Sequence, residues 1–219
     1  VHRWALAAAA RLGETCEAER DAPRPVDVAS WADDPPTTAA LEALGYRQVR
    51  RFDLMERSLE PRPAAPSWPA GVTVRAIADA ADLAQAHDVL AEAFEDHDGG
   101  GFPTFERFLH DLESTGYAPA LSTVAWLDGR AVGAVIVSDV FPEAEATAYV
   151  NDLGVRREAR GRGLGLALLL DAFGRMADAG LRGAALHVDT ASVTGATRLY
   201  ARAGMTAVPR YARWRRADA

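Results

Sequence analysis

The 219-residue sequence predicts a mixed α/β fold with a mixed sheet, and three observations carry that expectation. Short β-type apolar runs alternate with stretches of helical period, the pattern of layered α/β proteins. The dipeptide Asp128-Gly129 joins two apolar runs, a hairpin signal. A glycine-rich turn, Arg160-Gly161-Arg162-Gly163-Leu164-Gly165, leads from a strand-like run ending at Val155 into a helical run.

From residue 72 the elements follow in order. Val72 to Ile77 reads as a strand. Asp79 then caps a helix whose apolar positions Leu83, Ala86, Val89, Leu90 and Phe94 recur at helical spacing. Gly99 to Gly101 leads to a second helix near 104–113. Strands over 122–127 and 131–137 flank the Asp-Gly turn, and a third runs over 147–155. After the glycine-rich turn come a helix from Leu166 to Ala179, a strand over 183–188, a helix over 195–203 and a last strand over 210–215. The order is βααβββαβαβ.

Composition narrows the function. Hydrophobic residues at 49% and charged residues at 25% support a real core and exclude disordered and fibrous classes. A net charge of −7 argues against a basic nucleic-acid-binding surface, so no nucleic-acid partner is expected. All 24 basic residues are Arg, which excludes a Schiff-base lysine or a P-loop lysine. The single Cys16 excludes an intramolecular disulfide and a cysteine-only metal site, and fits a reducing compartment. No metal is expected. The apolar run Trp4 to Ala10 is cut by Arg11 and followed by acidic residues, so it predicts an amphipathic helix rather than a signal peptide. No run approaches the roughly 20 residues of a membrane span. A cytoplasmic location without a membrane partner is the expectation. Val1 reads either as a GTG start translated literally or as the start of a fragment.

The Pro/Ala-rich stretch from Pro61 to Pro69 reads as a linker, placing domains at 1–60 and 71–219 with 61–70 between them. At a constant offset of 159, residues 27–57 lie against 186–216 without a gap. Thr38 falls on Thr197, Leu44-Gly45-Tyr46 on Ala203-Gly204-Met205, and Arg51-Phe52 on Arg210-Tyr211. The N-terminal piece therefore reads as a partial repeat of the end of the C-terminal domain. A half-domain of that size cannot bury both sheet faces alone. It is expected to pack on the C-terminal domain or on another protomer, as in a homodimer.

The glycine-rich turn is built for an anion. Glycines let the backbone approach a ligand closely, and the first amides of a helix lack intrahelical partners and carry the positive end of its dipole. A P-loop fails for want of lysine. A dinucleotide fingerprint fails because Leu168 stands where its third glycine belongs and the loop comes late. A tight turn with a solvated arginine pair is the remaining structural reading.

Arg160-x-x-Gly163-x-Gly165 resembles the acetyl-CoA loop of the GNAT N-acetyltransferase superfamily. The resemblance continues through Leu186-His187-Val188-Asp189, Gly195-Ala196-Thr197-Arg198-Leu199-Tyr200 and Ala203-Gly204-Met205, and includes the hairpin Trp126 to Gly133. It covers residues 72 to 216. It implies a GNAT fold with splayed central strands, and acetyl-CoA with its pyrophosphate on the amides of Arg160, Gly161, Arg162, Gly163, Leu164 and Gly165. It further implies pantetheine against Leu153, Gly154 and Val155, and Tyr200 as the acid that protonates the departing thiolate. Ser192 stands where the family often has Asn, on the pantetheine arm.

The reaction so implied is attack by an amine on a thioester. An alkylamine with a pKa of about 10.4 must first lose a proton, which a carboxylate can accept. The family commonly supplies a Glu from the strand before the loop; this chain offers Asn151, which cannot take a proton, and Asp152, which can. Asp152 on a solvated face is the competing reading. Phe94-Glu95-Asp96-His97-Asp98 ends the first helix of the domain where the family builds its acceptor pocket, and resembles the two-domain branch that includes mycothiol synthase. A charged helix end is the plain alternative for Asp96 to Asp98. Leu41 occupies the repeat position of Tyr200, so any chemistry belongs to the C-terminal domain. The acidic segment favours a small cationic amine such as an aminosugar. A thiol-cofactor precursor with a free cysteine amine is the alternative acceptor, and a non-catalytic CoA-binding module the alternative function.

Overall fold

The computed structural model describes residues 27–95, 101–141, 143–191 and 195–216. The helix expected over 4–10 and Cys16 lie outside the described residues. Those described form β1 (Asp27–Trp31), α1 (Pro35–Ala43), β2 (Tyr46–Ser58), β3 (Val72–Ala76), α2 (Ala80–Phe94), α3 (Phe105–Ser114), β4 (Thr123–Leu127), β5 (Arg130–Ser138), β6 (Thr147–Val155), α4 (Leu164–Asp178), β7 (Gly183–Asp189), α5 (Ala196–Arg202) and β8 (Thr206–Arg216). The mixed α/β class and the expected element order are both present. No described helix is long and apolar enough to cross a membrane.

The described residues fall into two compact units. The smaller comprises 27–53, 189–191 and 209–216, with strand order β1-β8-β2. Here β1 pairs antiparallel with β8 from Asp27↔Arg215 to Trp31↔Tyr211. Helix α1 starts because Asp34 accepts the Thr37 amide (3.1 Å) and hydroxyl (2.6 Å), with prolines in its first turn. Leu41, Ala212 and Trp214 form a small core.

The larger unit comprises 54–188 and 195–208, with the end of β2 followed by β7-β6-β5-β4-β3. Two helical layers cover its sheet. On one face α2 and α3 set Leu83, Ala86, Val89, Leu90, Phe108 and Leu112 against Val124, Ala134 and Ile136. On the other, α4 sets Leu168, Leu169, Ala172, Phe173 and Met176 against Val135, Val137, Ala148 and Val150. Asp79 caps α2 by accepting the Asp82 amide at 2.9 Å. The β4–β5 turn is the two-residue hairpin expected, with Asp128 at φ 50 and Gly129 at φ 77.

The boundary differs from the expected linker. The compact units divide between Asp53 and Leu54, within β2, and the stretch 61–69 belongs to the larger unit. Leu54 and Leu59 are buried, Trp68 packs against the core, and Arg62 makes a two-bond pair with Asp178 of α4 (3.0 and 2.8 Å). Proline's fixed φ leaves little backbone freedom to lose on ordering, so a Pro-rich segment with an aromatic anchor packs rather than hangs free.

Candidate functional site

The central strand β6 carries two irregularities. Against β5 its register shifts between Ile136↔Asp152 and Val137↔Val150, leaving Asn151 as the extra residue of a bulge. Against β7 its parallel ladder runs only from Thr147↔Gly183 to Tyr149↔Ala185, although β6 continues to Val155 and β7 to Asp189. The two strands therefore part after Tyr149, the splay that the family resemblance implies. At the parting point the His187 amide donates to the Tyr149 hydroxyl at 3.2 Å, and that hydroxyl lies 3.0 Å from His187 Nδ1. Burial lowers the His187 pKa to about 4, so its ring is neutral at pH 7.

Beyond β6 a short 3-10 turn (Arg157–Ala159) leads to the glycine-rich segment and α4. Gly161 (φ +75) and Gly163 (φ +84) hold left-handed backbone facing open space, where a side chain is strained by conformation alone. Gly163 is the N-cap residue of α4, and no side chain caps the first turn. The helix thus presents open amides and its positive end beside exposed backbone at 160–163. Leu164 faces inward, 2% exposed, and anchors this end to the core. Such a cradle fits a phosphate-bearing ligand.

The predicted side chains divide into several groups. Tyr200, in α5 and half-buried, has its pKa pushed up to about 12 by burial and by the Asp152 charge, so the fold brings Tyr200 and Asp152 into one electrostatic environment. Leu153 and Val155 pack on the α4 side of the sheet with Tyr200. Gly154 faces α2, where an added Cβ would lie 2.9 Å from both Leu90 and Ala93 side chains. The Arg160 Nε donates to the Val155 carbonyl (3.0 Å) and an Nη to the Ala93 carbonyl (3.2 Å). The Asn151 amide donates to the buried Ser138 hydroxyl at 2.6 Å, so its nitrogen serves the bulge. Phe94 lies in an aromatic group with Phe102, at 5.4 Å between ring centres, and Phe102 in turn meets His87 and Phe108. Asp96, His97, Asp98 and Ser192 lie outside the described residues.

Sequence reasoning missed two features. Glu92 and Arg156 meet as an ion pair at the foot of the loop; the acid-rich end of α2 and the Arg156-Arg157 pair were the available signal. The sequence marks Tyr149 and His187 only as strand residues. Among the described residues no cluster of three or more acidic, His or Cys side chains has metal-site geometry.

Residues 83–205 match the family model described as Acetyltransferase (GNAT) family. The chain is 33% identical over 183 residues to a mycothiol acetyltransferase of Thermomonospora curvata, covering 83% of this chain and 60% of that protein. It is 34% identical over 182 residues to the mycothiol acetyltransferase of Thermobispora bispora, covering 80% and 61%. The chain thus spans about 60% of the length of these relatives. Among solved structures, a GCN5-related N-acetyltransferase from Sphaerobacter thermophilus superposes with a TM-score of 0.75 at 36% identity, over 89% of this chain and 61% of that one. A tandem GNAT protein from the clavulanic acid biosynthesis pathway shares the fold, with a TM-score of 0.63 at 18% identity, over 87% and 62%.

Proposed function

Because the chain belongs to the GNAT acetyltransferase family, we propose that it transfers an acetyl group from acetyl-CoA to the amine of a small molecule. The observation that carries the reading is the parting of β6 from β7 beside an uncapped glycine N-terminus of α4. Acetyl-CoA, when bound, supplies an activated acetyl thioester. The amides around Gly161 to Gly165 hold its pyrophosphate, and the backbone of Leu153 to Val155, no longer paired to β7, meets the pantetheine arm. Arg160 braces the loop through the Val155 and Ala93 carbonyls.

In this reading the two polar residues divide the proton work. Asp152 accepts the proton of the incoming ammonium, directly or through water. Tyr200, whose pKa of about 12 keeps it protonated throughout the assay range, donates to the departing thiolate. The ionised Asp152 opposes ionisation of Tyr200; taking up the ammonium proton removes that opposition, and the second proton of the amine nitrogen, released as the adduct collapses, restores the Tyr200 hydroxyl.

The test is Tyr200→Phe with a thiol-release assay over a panel of small amines. Turnover falling about 10²-fold or more at unchanged acetyl-CoA affinity is expected. Unchanged turnover would remove Tyr200 from the mechanism. Acetyl-CoA binding without turnover on any amine would favour a non-catalytic CoA-binding module.

The acceptor has two readings. A small cationic amine such as an aminosugar rests on the acidic sequence 95–98. The cysteine amine of a thiol-cofactor precursor is favoured by the mycothiol acetyltransferase relatives. Both compounds belong in the panel, and the larger kcat/KM decides. Residues 27–58 as a partial repeat also belong to this proposal. Its support is the recurrence of strand, helix and strand, and the stacking of Phe52 on Tyr211, repeat partners 4.7 Å apart at 24°.

A further inference from the structure

We propose that Glu92 is a positioning residue for the anion cradle, fixing the entry to α4 from the last turn of α2; the inference rests on the acetyl-CoA reading above. One carboxylate oxygen of Glu92 takes the Arg156 guanidinium, and the other accepts the Arg157 backbone amide at 3.3 Å. Arg156 is held on its other side, its Nε donating to the Ala131 carbonyl at 2.8 Å and its own amide to the Val132 carbonyl at 2.9 Å. The Glu92–Arg156 pair is therefore a fixed junction among α2, β5 and the end of β6.

Its surroundings add to that role. Glu95 pairs with Arg157 at 3.2 Å, and Arg160 reaches the Ala93 carbonyl at 3.2 Å. Three residues of one helical turn thus hold three residues of the segment leading to Gly161. They are unequal: the Arg157–Glu95 side chains are half exposed or more, whereas Arg156 is 12% exposed and Glu92 25%. An exposed pair contributes little, while a desolvated, charge-assisted bond holds geometry. Glu92 is thus the link whose loss shifts the loop. The loop amides donate only along fixed directions, so a small displacement weakens anion binding without removing any group that touches the ligand.

The experiment measures binding of acetyl-CoA and of acetyl-pantetheine, which lacks the pyrophosphate, to wild type, E92Q and E92D by calorimetry, with a thermal melt of each. E92Q keeps the side-chain shape and removes the charge. It is expected to weaken acetyl-CoA about tenfold while leaving acetyl-pantetheine within a factor of about two, and E92D is expected to restore most of the loss. Equal weakening of both ligands would mark Glu92 as a general structural residue and overturn the proposal, as would unchanged acetyl-CoA affinity. If E92Q melts below the assay temperature, the titrations are run at a lower temperature at which it stays folded, and the same comparison of the two ligands decides. A wild-type chain that binds no acetyl-CoA overturns the functional reading as well, whereas a binding wild type with an indifferent E92Q overturns this inference alone.

Discussion

Replacing Gly154 by Ala tests how tightly the site is tied to the packing beneath it. A methyl at this position would stand 2.9 Å from the Ala93 Cβ and the Leu90 Cδ2, and 3.5 Å from the Leu90 Cα. Carbon atoms rest at about 3.5–4.0 Å, so α2 must withdraw by roughly half to one ångström or β6 must bend. Leu90 is fully buried and Ala93 6% exposed, which leaves little room for either to give. Overpacking of this kind costs about 1–3 kcal/mol, and in a chain of this size each kcal/mol lowers Tm by about 2–4 °C. A fall of about 2–12 °C is therefore expected. Withdrawal of α2 also lengthens the 3.2 Å bond from Arg160 to the Ala93 carbonyl, so acetyl-CoA affinity should fall with stability. The control is Gly165→Ala, whose added Cβ meets Leu199 at an ordinary 3.4 Å and Val155 at 3.8 Å. In the first turn of α4 that change is expected to leave stability unchanged or raise it by up to about 0.5 kcal/mol. Calorimetric melts with acetyl-CoA titrations read both quantities. A G154A protein that melts and binds like wild type would refute the packing argument.

Two further predictions concern stability. Burial lowers the His187 pKa from an ordinary 6.5 to about 4, so the unfolded chain takes up this proton first as pH falls. Its share of stability is complete above about pH 6.5 and is lost progressively toward pH 4, by up to about 3 kcal/mol. Urea unfolding at pH 7 and pH 5 should show a smaller acid loss in His187→Gln than in wild type; equal losses would assign the effect elsewhere. Asp79→Ala removes the acceptor for the Asp82 amide and should cost about 1 kcal/mol at the start of α2, read as a shift in urea midpoint with unchanged slope.

The parts of the molecule governed by local rules were legible in the sequence. Asp79, Asp128-Gly129 and Gly163 each fix a cap or turn through backbone geometry of their own, and each stands where the pattern placed it. The glycines of the loop likewise announced open backbone. What escaped depends on contacts between distant segments. The direction of the Arg160 side chain is one such case: its charge is visible in the sequence, but the carbonyls of Ala93 and Val155 that it bonds carry no side-chain signature. The stretch 61–69 looked like a linker because proline content reports local stiffness, not whether a surface nearby will take Trp68. Nothing in the type of Asn151 reveals the bulge it occupies or the Ser138 hydroxyl that it bonds.

A sheet ordinarily has two edges, and natural proteins guard them because unpaired strands recruit other chains. The parting of β6 from β7 after Tyr149 opens two more, facing each other within this sheet. The backbone along that cleft lies outside the β6–β7 ladder. A slender guest with amide groups of its own can enter and behave as a few residues of surrogate strand. On the reading proposed above, the pantetheine arm is that guest, and selection among visitors begins with slimness and peptide-like bonding, before any reactive group is tested.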